Sequence, residues 1–229
     1  MDLSDIITKQ GDGGYNGYVT NFAGGSISGP EIVALNKLVK SLAVPGDNYI
    51  RCVDVGVAKG ASTAAMAFAV KELGGMVYSV DDYCEFKKHV DQWAQVKCSD
   101  IFLENMRYLR LDKHVKLIEK MSLVGSQEFE NESLDIVFID AGHGYDDVSQ
   151  DIKLWLPKVR KGGIIAGHDI QVLSKNGCVD IRPWQHVCQK NTGYDQHDFH
   201  WHVGVILAVG DLLPNAQIIP ETTIWYVNK

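Results

Sequence analysis

Residues 53–63 read VDVGVAKGAST, and their reading decides the fold. Val53 and Val55 continue an apolar run that begins at Ile50. Gly56 and Gly60 then bracket a short loop, and Ala61 opens an alanine-rich segment that runs to Leu73 and is closed by Gly74-Gly75. An apolar strand that passes through glycines into a helix is the first half of a β-α-β unit. Met76 to Val80 supplies the strand that completes it. The pattern then repeats along the chain: a polar helical stretch from about Glu85 to Leu109, a third strand at Val115–Ile118 and a fourth at Leu134–Ile139.

The next helix carries Tyr145, Val148, Ile152, Trp155, Leu156 and Val159 on one face, which is the 3.6-residue period. Lys161-Gly162-Gly163 reads as a turn into a fifth strand, Ile164–Ala166. An earlier helix starts near Pro30, where a first-turn proline is tolerated. Near the end, Gly204–Leu213 reads as helix. Gln217–Ile219 and Thr223–Val227 read as two strands joined by Pro220-Glu221, a link short enough for an antiparallel pair. Strands alternating with helices imply a parallel sheet covered on both faces. The expectation is an α/β fold: a doubly wound, mostly parallel, seven-stranded Rossmann-like sheet with an antiparallel C-terminal strand pair. One domain spans 1–229, with 1–30 as an irregular N-terminal segment and 171–202 as a substrate or lid loop.

Composition narrows the function classes. At 229 residues the chain fits one domain, and 45% hydrophobic with 22% charged residues is the balance of a globular protein. No apolar run approaches the roughly 20 residues that span a bilayer. A net charge of −7 and the lack of a dense Lys/Arg run leave no footprint for nucleic acid. Five scattered cysteines without CxxC spacing argue against a disulfide framework and a structural zinc site. With an acidic N-terminus, MDLSDIITKQ, that lacks a leader pattern, they point to the cytoplasm. The expected partner is a small molecule; self-association into a homo-oligomer is left open.

The glycine loop has a ligand chemistry of its own. A dinucleotide fingerprint, G-x-G-x-x-G, uses its central glycine to bring the backbone against a pyrophosphate. Here that position is Ala58, followed by Lys59, so the loop suits a ligand without pyrophosphate. Asp54, just ahead of the loop, suits a cationic group such as an amino-acid ammonium. Asp81, at the end of the second strand and about 20 residues beyond Gly60, is at the distance of a ribose-hydroxyl acceptor. The plainer alternative is that Gly60 only lets helix and strand pack while Asp81 caps the next segment.

The segments VDVGVAKG, YSVDD and DIVFIDAGHGYDDVSQDIKLWLPKVRKGGIIAGHD together resemble class I S-adenosylmethionine-dependent methyltransferases. More narrowly, they resemble the small-molecule O-methyltransferases that include the macrocin-type sugar enzymes. The likeness runs from about residue 48 to 170 and resumes in GVILAVGDLLPNAQIIPETTIWYVNK. It implies that Asp54, Gly56 and Gly60 line the methionine moiety of the cofactor, with Ser62 and Asp140 in the same cofactor set. It also implies that Asp81 meets the ribose and that Met121 and Ser122 lie near adenine.

VFIDAGHGYDD, residues 137–147, ends an apolar strand on Asp140 and adds His143 three residues later; the fifth strand ends on His168-Asp169. In an open parallel sheet, adjacent strand tips form one crevice. Two carboxylates and an imidazole converging there suit Mg²⁺, or Mn²⁺ where an imidazole joins the set. A metal-bound substrate hydroxyl would ionise more readily, and His143 could take its proton as general base, since an unperturbed imidazole has a pKa of about 6.5. The resemblance implies the same roles: Asp140, His168 and Asp169 on the metal and His143 as base. It also marks a departure, because relatives carry an acid at the place of His168. The plainer alternative makes Asp140 a helix N-cap, His143 solvated, and His168 and Asp169 strand caps.

The run Asp195 to His202, DQHDFHWH, does not form a second metal site on this reading, since no cysteine supports it. His200 and Trp201, with Tyr15, Tyr18 and Phe22, are better placed as acceptor-pocket lining. The expected function is metal-assisted methyl transfer from S-adenosylmethionine to a hydroxyl of a small molecule of the sugar or natural-product type. The competing readings are an NAD(P)-dependent oxidoreductase and a non-catalytic S-adenosylmethionine-binding protein.

Overall fold

The computed structural model describes residues 3, 27–43, 49–83, 97–170 and 202–229. The chain divides into two compact units, Met1–Gly125 and Ser126–Lys229. In the first, α1 (Gly29–Lys40) starts where expected, with Pro30 in its first turn. The Glu31 carboxylate accepts the Ser28 backbone N–H and hydroxyl, each at 2.7 Å, which fixes the chain's entry into the helix. Its buried residues Ile32, Leu35, Asn36 and Val39 follow i, i+3, i+4, i+7 and form one face. That face packs on α2 (Ala61–Leu73), where the Asn36 side-chain amide donates to the Ala65 carbonyl at 2.8 Å.

Helix α2 is buried at every residue from Ala61 to Val70. A helix that is apolar all round needs cover on all sides, and its small alanines let both α1 and the strands approach. The strands β1 (Ile50–Val55), β2 (Gly75–Val80) and β3 (Val115–Ile118) pair in parallel, in the order β3-β2-β1. The helix expected from about Glu85 to Leu109 is described as α3 (Cys98–Tyr108); residues 84–96 lie outside the described set. A short α4 (Ser122–Gly125) closes the unit.

The second unit begins with a 3₁₀ turn, Ser126–Glu128, followed by β4 (Leu134–Ile139), which is buried throughout. Helix α5 (Tyr145–Trp155) continues as a 3₁₀ turn, Leu156–Lys158, and buries Val148, Ile152 and Trp155. Burying each such side chain contributes about 1.5–3 kcal/mol. The fifth strand differs from expectation: β5 runs Val159–Gly167, straight through Lys161-Gly162-Gly163. The two glycines do not make a turn between elements. They make an irregularity inside one strand, where the β4–β5 register jumps from Leu134↔Val159 to Ile136↔Ile164. Asp135 and Arg160 pair across it at 2.7 Å.

Helix α6 (Val203–Leu212) packs on α5, and β6 (Gln217–Ile218) and β7 (Trp225–Asn228) form the expected antiparallel pair, with β7 also antiparallel to β5. The seven strands form one sheet of order β3-β2-β1-β4-β5-β7-β6, parallel except at the β7 and β6 end. Among the described residues, no helix is long and apolar enough to cross a membrane.

Candidate active site

The glycine loop is held by three clamps. At its start, Asp54 is fully buried, and its Oδ2 accepts the hydroxyls of Ser62 at 2.8 Å and Thr63 at 2.5 Å, both in the first turn of α2. Asp54 Oδ2 and the Ser62 and Thr63 hydroxyls therefore hold each other beneath the loop. The second clamp is α3, whose Asn105 amide donates to the Lys59 carbonyl at 2.9 Å. Gly60, at φ +94°, lies so close to Met106 and Phe102 of α3 that a Cβ there would come within 2.7 and 2.8 Å of them. Only glycine suits both that backbone and that contact.

Asp81 is the third clamp. Its Oδ2 accepts the N–H groups of Val57 at 2.9 Å and Ala58 at 3.0 Å, and its Oδ1 accepts the N–H of Tyr83 at 2.7 Å. Burial pushes its carboxyl above the ordinary value; the three amide bonds oppose that, and the charge of Asp82 adds to it. The carboxylate thus latches the loop in the shape set by positive φ at Gly56, Ala58 and Gly60. Beyond β3, Ser122 is the first residue of α4, and Met121 beside it is 61% exposed, an open apolar surface next to the strand tip.

In the second unit, strand register assembles the other cluster. Ile139 of β4 pairs with Gly167 of β5, and the His168 N–H donates to the Ile139 carbonyl at 3.2 Å, so the next residues, Asp140 and His168, emerge side by side. The His168 Nδ1 lies 3.7 Å from Asp140 Oδ1 and 3.0 Å from Asp169 Oδ1. Asp169 takes a left-handed backbone, φ +71°, an unusual conformation for a residue other than glycine. Its Oδ2 meets His143 Nε2 at 3.1 Å. Burial alone would raise the Asp169 carboxyl; the neighbouring imidazoles of His143 and His168 hold it well below the usual carboxylate range. Asp140, His143, His168 and Asp169 share a pocket with the apolar side chains of Ile139, Val148, Val205 and Trp225. Trp225 floors it, its indole N–H donating to the His168 carbonyl at 3.1 Å.

Gly144, and not Asp140, is the N-cap of α5, so the capping alternative for Asp140 does not hold. The residue that the sequence reading set aside, with the run from Asp195, is His202. It sits at the N-cap of α6 with its Nε2 3.6 Å from Asp169 Oδ1, and its ring is 4.4 Å from that of His143. The signal lay in Gly204. A Cβ there would come within 2.3 Å of the His143 carbonyl oxygen and 2.6 Å of the Tyr145 nitrogen, so α6 reaches the β4–α5 loop only because residue 204 lacks one. Gly204→Ala is expected to cost about 1–3 kcal/mol of stability, an overpacking penalty. A melting temperature equal to wild type would contradict that close approach. Tyr15, Tyr18, Phe22, His200 and Trp201 lie outside the described residues, as does most of the 171–202 loop.

The comparisons with known proteins point one way. Residues 53–170 match the family described as "Methyltransferase domain". The uncharacterized protein y4gI of Sinorhizobium fredii (strain NBRC 101917 / NGR234) is 25% identical over 124 residues, which is 53% of this chain and 13% of that protein. The chain thus spans only a small part of that relative's length. Among solved structures, a candidate O-methyltransferase from Klebsiella pneumoniae superposes with a TM-score of 0.59 at 17% identity, over 99% of this chain and 90% of that one. Cofactor-bound Rv0187 from MTB gives 0.58 at 14% identity, over 98% and 85% of the two chains. CalS11, a TDP-rhamnose 3′-O-methyltransferase of calicheamicin biosynthesis, gives 0.54 at 12% identity, over 87% and 78%. These structures share the fold. With residues 53–170, more than half of its length, matched from the β1 glycine loop to the turn beyond Asp169, the chain belongs to the methyltransferase-domain family.

Proposed function

We propose that this chain is an S-adenosylmethionine-dependent O-methyltransferase that methylates a hydroxyl of a small molecule, of the sugar or natural-product type. The observation that carries the donor class is the latch of Asp81 on the glycine loop. In a dinucleotide site, loop amides of this kind cradle a pyrophosphate. Here the Val57 and Ala58 amides already donate to a carboxylate, which repels a second anion and suits a phosphate-free cofactor. A carboxylate has about four acceptor positions; three amide bonds leave Asp81 room for a ribose hydroxyl. Gly56 and Gly60 give the cofactor's methionine end a close backbone approach, and Asp54 and Ser62 hold their shape from beneath. Met121 offers adenine an apolar surface, with Ser122 beside it.

On the acceptor side, His143 is the general base. Its Nε2 lies 3.1 Å from Asp169 Oδ2, a carboxylate placed to stabilise the imidazolium formed once the acceptor proton is taken; proton transfer then runs through Nδ1. The donors of Asp140, His168 and Asp169 lie within 4.8 Å of one another, a spacing that fits one divalent ion, and these residues would hold Mg²⁺ or Mn²⁺. Such an ion lowers the pKa of a bound hydroxyl. The rest of the protein's part is to hold donor and acceptor in line. The scattered cysteines support a cytoplasmic setting.

Thermal unfolding with S-adenosylhomocysteine or NAD tests the cofactor class. The product analogue at a hundred times its Kd is expected to stabilise by about 2.7 kcal/mol, and NAD not at all. Stabilisation by NAD alone would overturn the reading. Dialysis against EDTA is expected to remove most methyl transfer, with recovery on adding Mg²⁺ or Mn²⁺. Full turnover in EDTA would remove the ion from the account.

A further inference from the structure

Asp169 faces two donor sets. One is the set with Asp140 and His168; the other is a pair of imidazoles, His143 from the β4–α5 loop and His202 from the start of α6. His143 Nε2 stands 3.1 Å from Asp169 Oδ2 and His202 Nε2 3.6 Å from Asp169 Oδ1. The two rings lie 4.4 Å apart and are tilted by 55°, and the donor atoms of His143, Asp169 and His202 all lie within 4.8 Å of one another.

We propose that His143, Asp169 and His202 bind a first-row transition ion of the Zn²⁺ type, at a site that shares Asp169 with the Asp140–His168 set but is distinct from it. Nitrogen and oxygen donors about 2.0–2.2 Å from a tetrahedral ion stand about 3.4 Å from one another. The two imidazoles meet different oxygens of Asp169, at 3.1 and 3.6 Å, and one donor atom from each of the three residues lies within 4.8 Å of the others, so a small turn of the carboxylate brings the set onto one ion. Two imidazoles and one carboxylate are a borderline donor set that selects Zn²⁺, Co²⁺ or Ni²⁺, whereas Mg²⁺ needs oxygen donors and keeps its waters. Three protein donors also leave the fourth position of such an ion open. The triad depends on tertiary packing, since Gly204 alone lets α6 carry His202 to the loop. Loading it places the ion on His143 Nε2 and leaves the ring proton on Nδ1, so occupancy and proton transfer at His143 exclude one another. That consequence rests on the reading of His143 as base; the binding itself does not.

The test is competition for Zn²⁺ against a chromogenic chelator, with no methyl donor or acceptor present, so that its outcome is independent of the methyl-transfer reading. Wild type is expected to bind Zn²⁺, with millimolar Mg²⁺ failing to displace it. His202→Ala and His202→Gln should each weaken binding at least about tenfold. Asp140→Ala should keep the affinity within about twofold, because it lies outside the triad. Circular dichroism matching wild type shows that the His202 variants are folded, and the glutamine variant keeps bulk and polarity without the ligand nitrogen. No binding by wild type, undiminished binding in a folded His202 variant, or a loss in Asp140→Ala equal to that in His202→Ala would overturn the proposal.

Discussion

Replacing His143 with Ala is expected to lower turnover about a hundredfold to ten-thousandfold, the ordinary contribution of a positioned general base. The loss appears in kcat, while S-adenosylhomocysteine affinity stays within about twofold, because His143 meets Asp169 and the pocket beyond β4 and has no part in clamping the glycine loop. A pH profile sharpens the test. In wild type, turnover should fall as acid protonates the imidazole, since protonated His143 cannot accept a proton. That limb should vanish from the residual activity of His143→Ala. Unchanged turnover in the variant would show that the base is elsewhere.

Asp81→Ala is expected to act on the other half of the reaction. It removes the acceptor for three backbone amides, and a hydrogen bond to a charged group contributes about 1.5–3 kcal/mol. With Val57 and Ala58 no longer latched, the loop must be ordered by the ligand itself. Since about 1.4 kcal/mol is a tenfold change in affinity, S-adenosylhomocysteine should bind at least about a hundredfold more weakly by calorimetry. Asp81→Asn keeps one carbonyl acceptor and should fall between the two. Wild-type affinity in Asp81→Ala would mean that neither the latch nor a ribose contact matters to the cofactor.

What the sequence revealed of this site, and what it hid, follows from the range of the forces involved. The tips of β4 and β5 were legible because parallel register is local: once two buried apolar runs are neighbours, Asp140 and His168 must leave the sheet together. The glycine loop was legible for the same reason, as strand, positive-φ turn and helix follow within a dozen residues. The direction of Asp54 was not, because its partners Ser62 and Thr63 are chosen by how α2 folds back over β1. Lys161-Gly162-Gly163 misled because two glycines signal a turn equally well whether the chain leaves the sheet or only bulges within it. His202 was hidden furthest. Its approach to Asp169 is decided by a missing methyl group at Gly204 and a contact with the loop near His143, far off in the chain. No period or motif encodes a packing of that kind.

The most direct test of O-methyl transfer is incubation of the purified protein with methyl-deuterated S-adenosylmethionine and a panel of small hydroxyl compounds, followed by mass spectrometry. The account predicts acceptor-dependent formation of S-adenosylhomocysteine with the labelled methyl on an oxygen, largely lost in His143→Ala. Label found on carbon or nitrogen, or product formed equally well by His143→Ala, would contradict it.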